Sequence, residues 1–301
     1  MRIMVYSHDT FGLGNIRRML AICNYLIDSI PNLSILVVSG SPMLHSFRLP
    51  QGLDYIKLPC LNRSEGGELS VKYLGTTTAE TLKLRADLIL AAAVSFKPDL
   101  ILVDKKPDGL KGELESILNC LQTYLTQTKL VLLLRDILDS PDTTIKEWQE
   151  NSYYEAIEKF YDLILVVGTP DVFDIREEYQ FPASVSQKVR FCGYIRKEAG
   201  LKDRSVCREE LQIKPDEQLI LVTPGGGEDG YRLIETYLSG LSQLPEENNF
   251  RSLIVCGPEM SPKGRKALYQ AAEKYPHVQI CEFTDDLMSY IKPILNIKTV
   301  K

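Results

Sequence analysis

Apolar residues fall along this chain in two rhythms. Short continuous runs, such as Ile35-Leu-Val-Val38 and Leu130-Val-Leu-Leu-Leu134, are bounded by polar or turn-forming residues. Runs without alternation suit strands covered on both faces, as in parallel sheets. Between them, apolar positions recur at helical spacing. Ile16, Met19, Leu20, Cys23, Ile27 and Ile30 share one face of a helix over 15–30. Segments 77–96, 111–127 and 143–160 carry the same period. Predicted strands are 2–7, 34–39, 54–58, 99–103, 129–134, 162–167 and 188–192. Strands and helices taking turns in this way predict a doubly wound α/β sheet.

After Gly193 the rhythm breaks. Residues 195–216 are charge-rich, with Gly200 and Pro215 as breakers. Alternation then restarts: strand 219–222, helix 229–243, strand 252–255, helix 262–275, strand 278–281, helix 285–291. This predicts a second α/β unit with a boundary near 195–203, and so domains 1–195 and 196–301. The second has only three strands, a small sheet with poorly protected edges. Gly66-Gly67 marks a loop between elements.

Composition narrows the classes. With 25% charged and 44% hydrophobic residues over 301 positions, the chain is an ordinary globular one. A net charge of −5 gives no bulk electrostatic reason to bind nucleic acid. The longest wholly apolar run, Leu88 to Val94, is far short of the roughly 18 residues a membrane span needs. The N-terminus enters a strand directly and lacks a signal-peptide core. Seven scattered cysteines without a CxxC read as reduced thiols, which places the chain in the cytoplasm. Three histidines, apart from one another, give no basis for a metal site.

Two glycine loops carry the candidate chemistry. The first is Ser7-His-Asp-Thr-Phe-Gly-Leu-Gly-Asn-Ile-Arg-Arg18, between the first strand and the first helix. Open α/β sheets bind ligands at this end of their strands. Gly12 and Gly14 allow close backbone approach, and the helix N-terminus offers N–H groups to an anion. The dinucleotide fingerprint fails, because Arg17 stands at the third glycine and the second strand ends in Ser39-Gly40 without an acidic residue. The second loop, Thr223-Pro-Gly-Gly-Gly-Glu-Asp-Gly230, is not a Walker A loop, since no Gly-Lys-Ser/Thr follows. Its residues Thr223, Gly225, Gly226 and Gly227 suit a backbone cradle for phosphate oxygens. The competing readings are a tight βα turn for the first loop and a surface turn for the second.

These loops, with Phe11-Gly-Leu-Gly-Asn-Ile-Arg17, Phe191-Cys-Gly-Tyr194, Asp104-Lys-Lys-Pro-Asp-Gly109, Leu134-Arg-Asp-Ile137 and Phe283-Thr-Asp-Asp-Leu287, resemble the GT-B glycosyltransferases. Within them the chain looks most like the MurG-like (family 28) members. The resemblance implies two Rossmann-like domains facing a cleft, with the acceptor on the first and a nucleotide-sugar donor, UDP-linked, on the second. It implies transfer to an acceptor hydroxyl with no metal and no further cofactor. It also implies contact of the donor diphosphate with the 223–230 loop, and an acceptor-side role for Gly12, Gly14 and Arg17.

Two departures from the family pattern bear on activity. The residue expected to be His, and the base, is Asn15. A neutral amide is no useful proton acceptor, though it is a good helix N-cap. His8, Asp9, Asp104 and Asp136 are the other candidates for the base. Asp104 and Asp136 can equally be turn or cap residues. The second departure is the tail Ile291-Lys-Pro-Ile-Leu-Asn-Ile-Lys-Thr-Val-Lys301, which does not continue the family pattern. The resemblance therefore implies a C-terminally truncated, incomplete donor-side domain. The alternatives are a non-catalytic ligand- or partner-binding remnant and a nucleotide-sugar epimerase. A short second sheet admits self-association. Met43, Leu44, Phe47, Leu49 and Leu53 admit either packing or peripheral membrane contact with a lipid-linked acceptor.

Overall fold

The computed structural model describes residues 1–8, 14–63, 68–195, 200, 202–244, 249–284 and 286–291. The predicted loop at Gly66-Gly67 and the tail beyond residue 291 lie outside the described residues. The chain divides into two compact units, one holding Asn15–Ile195 with the N-terminal strand, the other beginning at Arg196.

The first unit is a seven-stranded sheet in the order β3-β2-β1-β6-β7-β8-β9. Its strands are β1 (Arg2–Ser7), β2 (Ser34–Ser39), β3 (Leu53–Lys57), β6 (Leu100–Asp104), β7 (Lys129–Arg135), β8 (Leu163–Val167) and β9 (Val189–Phe191). Every pairing in it is parallel. The intervening β4 (Leu61–Arg63) and β5 (Leu69–Val71) form a separate antiparallel pair. No hydrophobic run announced them, because each has only three residues.

Alternate residues of each strand serve opposite cores. Ile3 and Val5 join Ile35, Val37, Leu102 and Leu133 under α1 (Gly14–Ser29). Met4 and Tyr6 join Ile101, Val103, Leu132 and Leu134 on the other face. That face is covered by α2 (Thr78–Phe96), α3 (Glu115–Thr123), α4 (Pro141–Glu150) and α5 (Tyr153–Phe160). Leu44 and Leu53 are buried in the α1-side core, with Phe47 and Leu49 packed against it. Packing therefore accounts for these four apolar side chains.

Two predicted helices are shorter or divided. The stretch 111–127 becomes α3 alone, because Lys111 (φ 53°) and Gly112 (φ 79°) hold left-handed backbone before it. The stretch 143–160 splits into α4 and α5 at Ser152 (φ 52°). The split lets Trp148 stack on Phe181 with ring centroids 5.1 Å apart, while Tyr153 and Ile157 also reach the core. α2 starts as predicted, fixed by a capping box in which Thr77 and Glu80 exchange side chain to backbone hydrogen bonds. Two short helices, α6 (Ile175–Glu178) and α7 (Ala183–Ser186), lie between β8 and β9.

A charged network is sealed inside the second of these cores. Arg85 on α2 donates to both oxygens of Glu113, at 2.6 and 2.7 Å, and to the Pro59 carbonyl at 2.7 Å. The Tyr6 hydroxyl donates to Glu113 and accepts from the Leu110 amide at 3.2 Å. Arg85 and Tyr6 are fully buried and Glu113 nearly so. Burial disfavours the guanidinium charge, but the Glu113 carboxylate outweighs it and leaves the Arg85 pKa raised. Burial first, and then the Glu113 charge, push the Tyr6 phenol well above its usual range.

The second unit has a parallel sheet β10-β11-β12, from Gln218–Val222, Phe250–Val255 and Val278–Cys281. Its helices are α8 (Arg204–Glu210), α9 (Tyr231–Leu241), α10 (Pro262–Ala272) and α11 (Leu287–Ile291). α8 falls in the charge-rich stretch, where few apolar positions mark a helical period. α11 is latched to the start of the unit: the Lys202 amide donates to Ser289 Oγ at 2.8 Å, and Cys207 Sγ to the Ser289 carbonyl at 3.3 Å. A Cβ on Gly200 would overlap the Ser289 backbone. All seven cysteines are free thiols. Among the described residues no helix is long and apolar enough to cross a membrane.

Replacing Glu113 by Gln leaves Arg85 buried without its counter-charge. We expect Glu113→Gln to destabilise the first unit by about 3–5 kcal/mol. The apolar pair Arg85→Met with Glu113→Leu should recover most of that loss. Urea unfolding of the three proteins measures both effects.

Candidate functional site

The strand order of the first sheet reverses between β1 and β6. Helices leaving two such strands go to opposite faces, so a crevice opens outside their carboxyl ends. His8 follows β1 directly, and Asp104 is the last residue of β6. Both sequence candidates therefore stand at the switch point of the sheet.

Asp104 is fully buried. Arg18, one turn into α1, donates to its Oδ1 at 2.6 Å and is itself only 14% exposed. Oδ2 has no hydrogen-bond partner. Burial raises the carboxyl pKa, against the pull of Arg18 and of Lys105 and Arg135. His8 Nδ1 is likewise buried without a partner. Burial, then the charges of Lys105 and Lys106, depress its pKa to about 3, opposed by a hydrogen bond with the Asp104 backbone. The imidazole is thus neutral and weakly basic.

Buried polar atoms almost always find partners, so exceptions need explaining. Eight such side-chain atoms lack one among the described residues. Four belong to Ser7, His8, Arg18 and Asp104, which lie at the ends of β1 and β6 or are paired to them. That concentration makes the switch point a candidate place for water or a ligand to supply the missing partners.

The remaining candidates separate. Asp136, after β7, has both oxygens engaged: Oδ1 accepts from the Ile137 amide at 2.8 Å and Oδ2 from the Tyr194 hydroxyl at 2.6 Å. Gly168 leaves room for it, since a Cβ there would press on the carboxyl group. Asn15 sits inside the first turn of α1, one residue beyond Gly14, instead of capping it. Gly14 has open space around it, with nothing within 4 Å of a Cβ position. Arg17 is half-buried, with its guanidinium 6.0 Å from the Phe47 ring centroid, and burial lowers its pKa. Asp9 and Gly12 lie outside the described residues.

In the second unit, the 223–230 loop follows β10 and packs against the loop after β11. Gly225 (φ 80°), Gly227 (φ 94°) and Gly257 (φ 91°) all hold left-handed backbone. A Cβ on Gly227 would strike the Cys256 carbonyl, and one on Gly257 would strike the Gly226 carbonyl. The Glu259 amide closes the pair by donating to Gly226 O at 2.9 Å. Thr223 Oγ1 accepts weakly from the Gly225 amide at 3.4 Å. The amides of Gly226 and Gly227 bond to no acceptor among the described residues, and they precede the 11-residue helix α9. Such a turn before a helix N-terminus suits anions. No cluster of three or more His, Cys, Asp or Glu side chains suited to a metal occurs among the described residues.

No family model and no curated protein matches the sequence. Solved structures do match the fold. HepE of Anabaena, in complex with UDP-glucose, superposes with a TM-score of 0.57 at 13% identity, over 97% of this chain and 72% of its own. WaaG, a glycosyltransferase involved in lipopolysaccharide biosynthesis, matches with a TM-score of 0.53 at 13% identity, over 96% and 72%. The UDP-GlcNAc 2-epimerase of Methanocaldococcus jannaschii matches with a TM-score of 0.55 at 10% identity, over 98% and 76%. The fold is GT-B.

Within this GT-B chain, sequence reasoning missed three contributors: Arg18 as the partner of Asp104, and the pair Lys105 and Lys106. Lys105 has φ 65°, a left-handed conformation rare outside glycine and costing about 1–3 kcal/mol. The signal was present in the string Asp104-Lys-Lys106, where two cations directly follow a strand-ending acid. Lys106 pairs with Glu147 at 2.9 Å.

The depressed His8 pKa has a measurable sign. The unfolded chain takes up this proton near pH 6.5, while the folded chain resists until about pH 3. Stability from a neutral His8 is complete above pH 6.5 and is lost as pH falls toward 3. Between pH 6 and 4 the wild type should lose about 1.4 kcal/mol per pH unit more than His8→Asn. Urea midpoints across that range report the difference.

Proposed function

We propose that this chain is a MurG-like glycosyltransferase that moves a sugar from a UDP-linked donor to an acceptor hydroxyl. The first unit is its acceptor side and the second its donor side. The observation that carries this reading is the glycine turn at 225–227, whose Gly226 and Gly227 amides meet no acceptor among the described residues, ahead of α9 in a GT-B fold. Those amides would receive the diphosphate, whose negative charge grows as the sugar leaves. HepE, a GT-B neighbour, is in complex with UDP-glucose, which supports the donor class.

Asp104 is the base in this reading. Arg18 fixes one carboxylate oxygen, and the other is left to accept a proton. Its raised pKa brings it nearer to working pH, whereas Asn15 cannot take a proton and His8 is too weak a base. The acceptor oxygen bonds to the anomeric carbon, and its proton passes to Asp104 Oδ2, an atom covered in the unliganded chain that acceptor binding has to uncover. The bond from that carbon to the diphosphate oxygen breaks, and UDP departs with the electron pair. The groups invoked are the chain's own side chains and amides.

A second reading, nucleotide-sugar epimerisation, is favoured by the likeness to the 2-epimerase of Methanocaldococcus jannaschii. The products separate the two, since transfer or donor hydrolysis releases UDP whereas an epimerase returns an isomerised UDP-sugar.

We expect UDP to bind the purified chain by calorimetry, and Gly225→Val to weaken it by about tenfold or more, close to 1.4 kcal/mol. A Cβ at Gly225 meets no neighbour, but the left-handed backbone there (φ 80°) strains a valine, so the melting temperature of the variant is measured beside its affinity to separate lost binding from lost fold. Asp104→Asn should keep UDP affinity and lower turnover by about 10²–10⁴-fold. Absence of UDP binding by the wild type would overturn the transferase reading.

A further inference from the structure

Two cations beside the switch point, Lys105 and Arg135, share the single Asp104 carboxylate with Arg18. Arg18 is matched to Asp104, and Lys106 to Glu147. Lys105 and Arg135 have no ion pair among the described residues. They leave the carboxyl ends of neighbouring strands: Asp104 is in register with Leu133, and the Lys105 amide donates to Leu133 O at 2.9 Å. Lys105 thus stands beside Leu134, one residue from Arg135.

This arrangement is costly in two ways. Like charges at close range repel, and Lys105 is half-buried, where water screens the repulsion poorly. Its ammonium pKa is lowered by burial first and then by Arg135. The left-handed backbone at Lys105 adds strain.

We propose that Lys105 and Arg135 bind an anionic group, a phosphate or a carboxylate, carried by the acceptor. Lys105 and Arg135 would grip the anion from adjacent strand ends, and Arg supplies a planar fork matched to such groups. The same end of the sheet holds Asp104 with its unpartnered Oδ2 and His8 with its unpartnered Nδ1. An acceptor held by its anion would present a hydroxyl to those atoms. The word acceptor rests on the transferase reading, while the anion site rests on the two unpaired cations alone.

Calorimetric titration with inorganic phosphate and with acetate, at constant ionic strength, tests it on the whole chain. Phosphate, acetate or both should bind the wild type, and affinity should fall by about tenfold or more in Lys105→Gln and in Arg135→Gln. Lys105→Arg and Arg135→Lys should retain part of it. Without anion, both Gln variants should melt at or above the wild-type temperature, because they remove a repulsion. A structural role would lower that temperature instead. Arg135 is exposed, so Arg135→Gln will fold even if a change at Lys105 is disruptive. The titrations are run with UDP saturating the 225–227 turn, where free phosphate would otherwise also bind, and the Lys105- and Arg135-dependent binding should persist. Loss of all phosphate binding under UDP would assign the cations to the donor and overturn the proposal, as would equal phosphate affinity under UDP in wild type and both Gln variants. Failure of UDP to bind at all, with phosphate binding intact, would instead fell the transferase reading and leave the anion site standing.

Discussion

A guanidinium cannot be left bare in a protein interior. Arg85 is fully buried, and its charge is tolerable only because Glu113 takes two of its donors and Pro59 O a third. That requirement fixes four parts of the first unit at once. It holds α2, the loop after β3, the turn ahead of α3 and, through Tyr6, the centre of the sheet. Tyr6 then holds Leu110 by its amide, and with it the end of the 104–110 loop. Gly109, left-handed at φ 77°, passes so close to the Tyr6 hydroxyl that a Cβ would stand 3.0 Å from it. The loop that carries Lys105 is therefore anchored at one end by β6 and at the other by a buried charge.

On the readings proposed above, the two units would provide for anions in different ways. The first uses side chains: cations set at strand ends, in a place where the strand order opens a crevice. The second uses backbone: left-handed glycines that turn amides outward without side chains in the way. Side-chain charge can distinguish one anion from another by geometry and number. Backbone amides are less selective and suit a group common to many ligands, such as a diphosphate.

Most of the fold was legible in the sequence, because continuous apolar runs mark buried parallel strands plainly. Every strand of both sheets was predicted within about two residues. What escaped was short or locally polar. β4 and β5 are too brief to show a period, and α8 lies among charges. The break at Ser152 was hidden because Trp148, Tyr153 and Ile157 keep a helix-like spacing across it. At the site, position was readable but state was not. Asp104 and Asp136 look alike in sequence, each acid placed at or just past a strand end. Only the fold shows one with an unpartnered oxygen and the other satisfied by Ile137 and Tyr194. Partners distant in sequence decide this, such as Arg18 lying 86 residues from Asp104.

The latch between α11 and the start of the second unit has a consequence for how the chain is made. Ser289 holds Lys202 and Cys207 across separations of 87 and 82 residues. During synthesis, the first unit has all of its strands by residue 191 and can fold while the rest is still being translated. In the second, Leu211 and Ile213 can pack against Leu219 of β10 and Leu253 and Val255 of β11 early, whereas the contacts of Lys202 and Cys207 with Ser289 close only once α11 has left the ribosome. Translation order thus makes the second unit the later to mature and the more exposed to chaperones on the way.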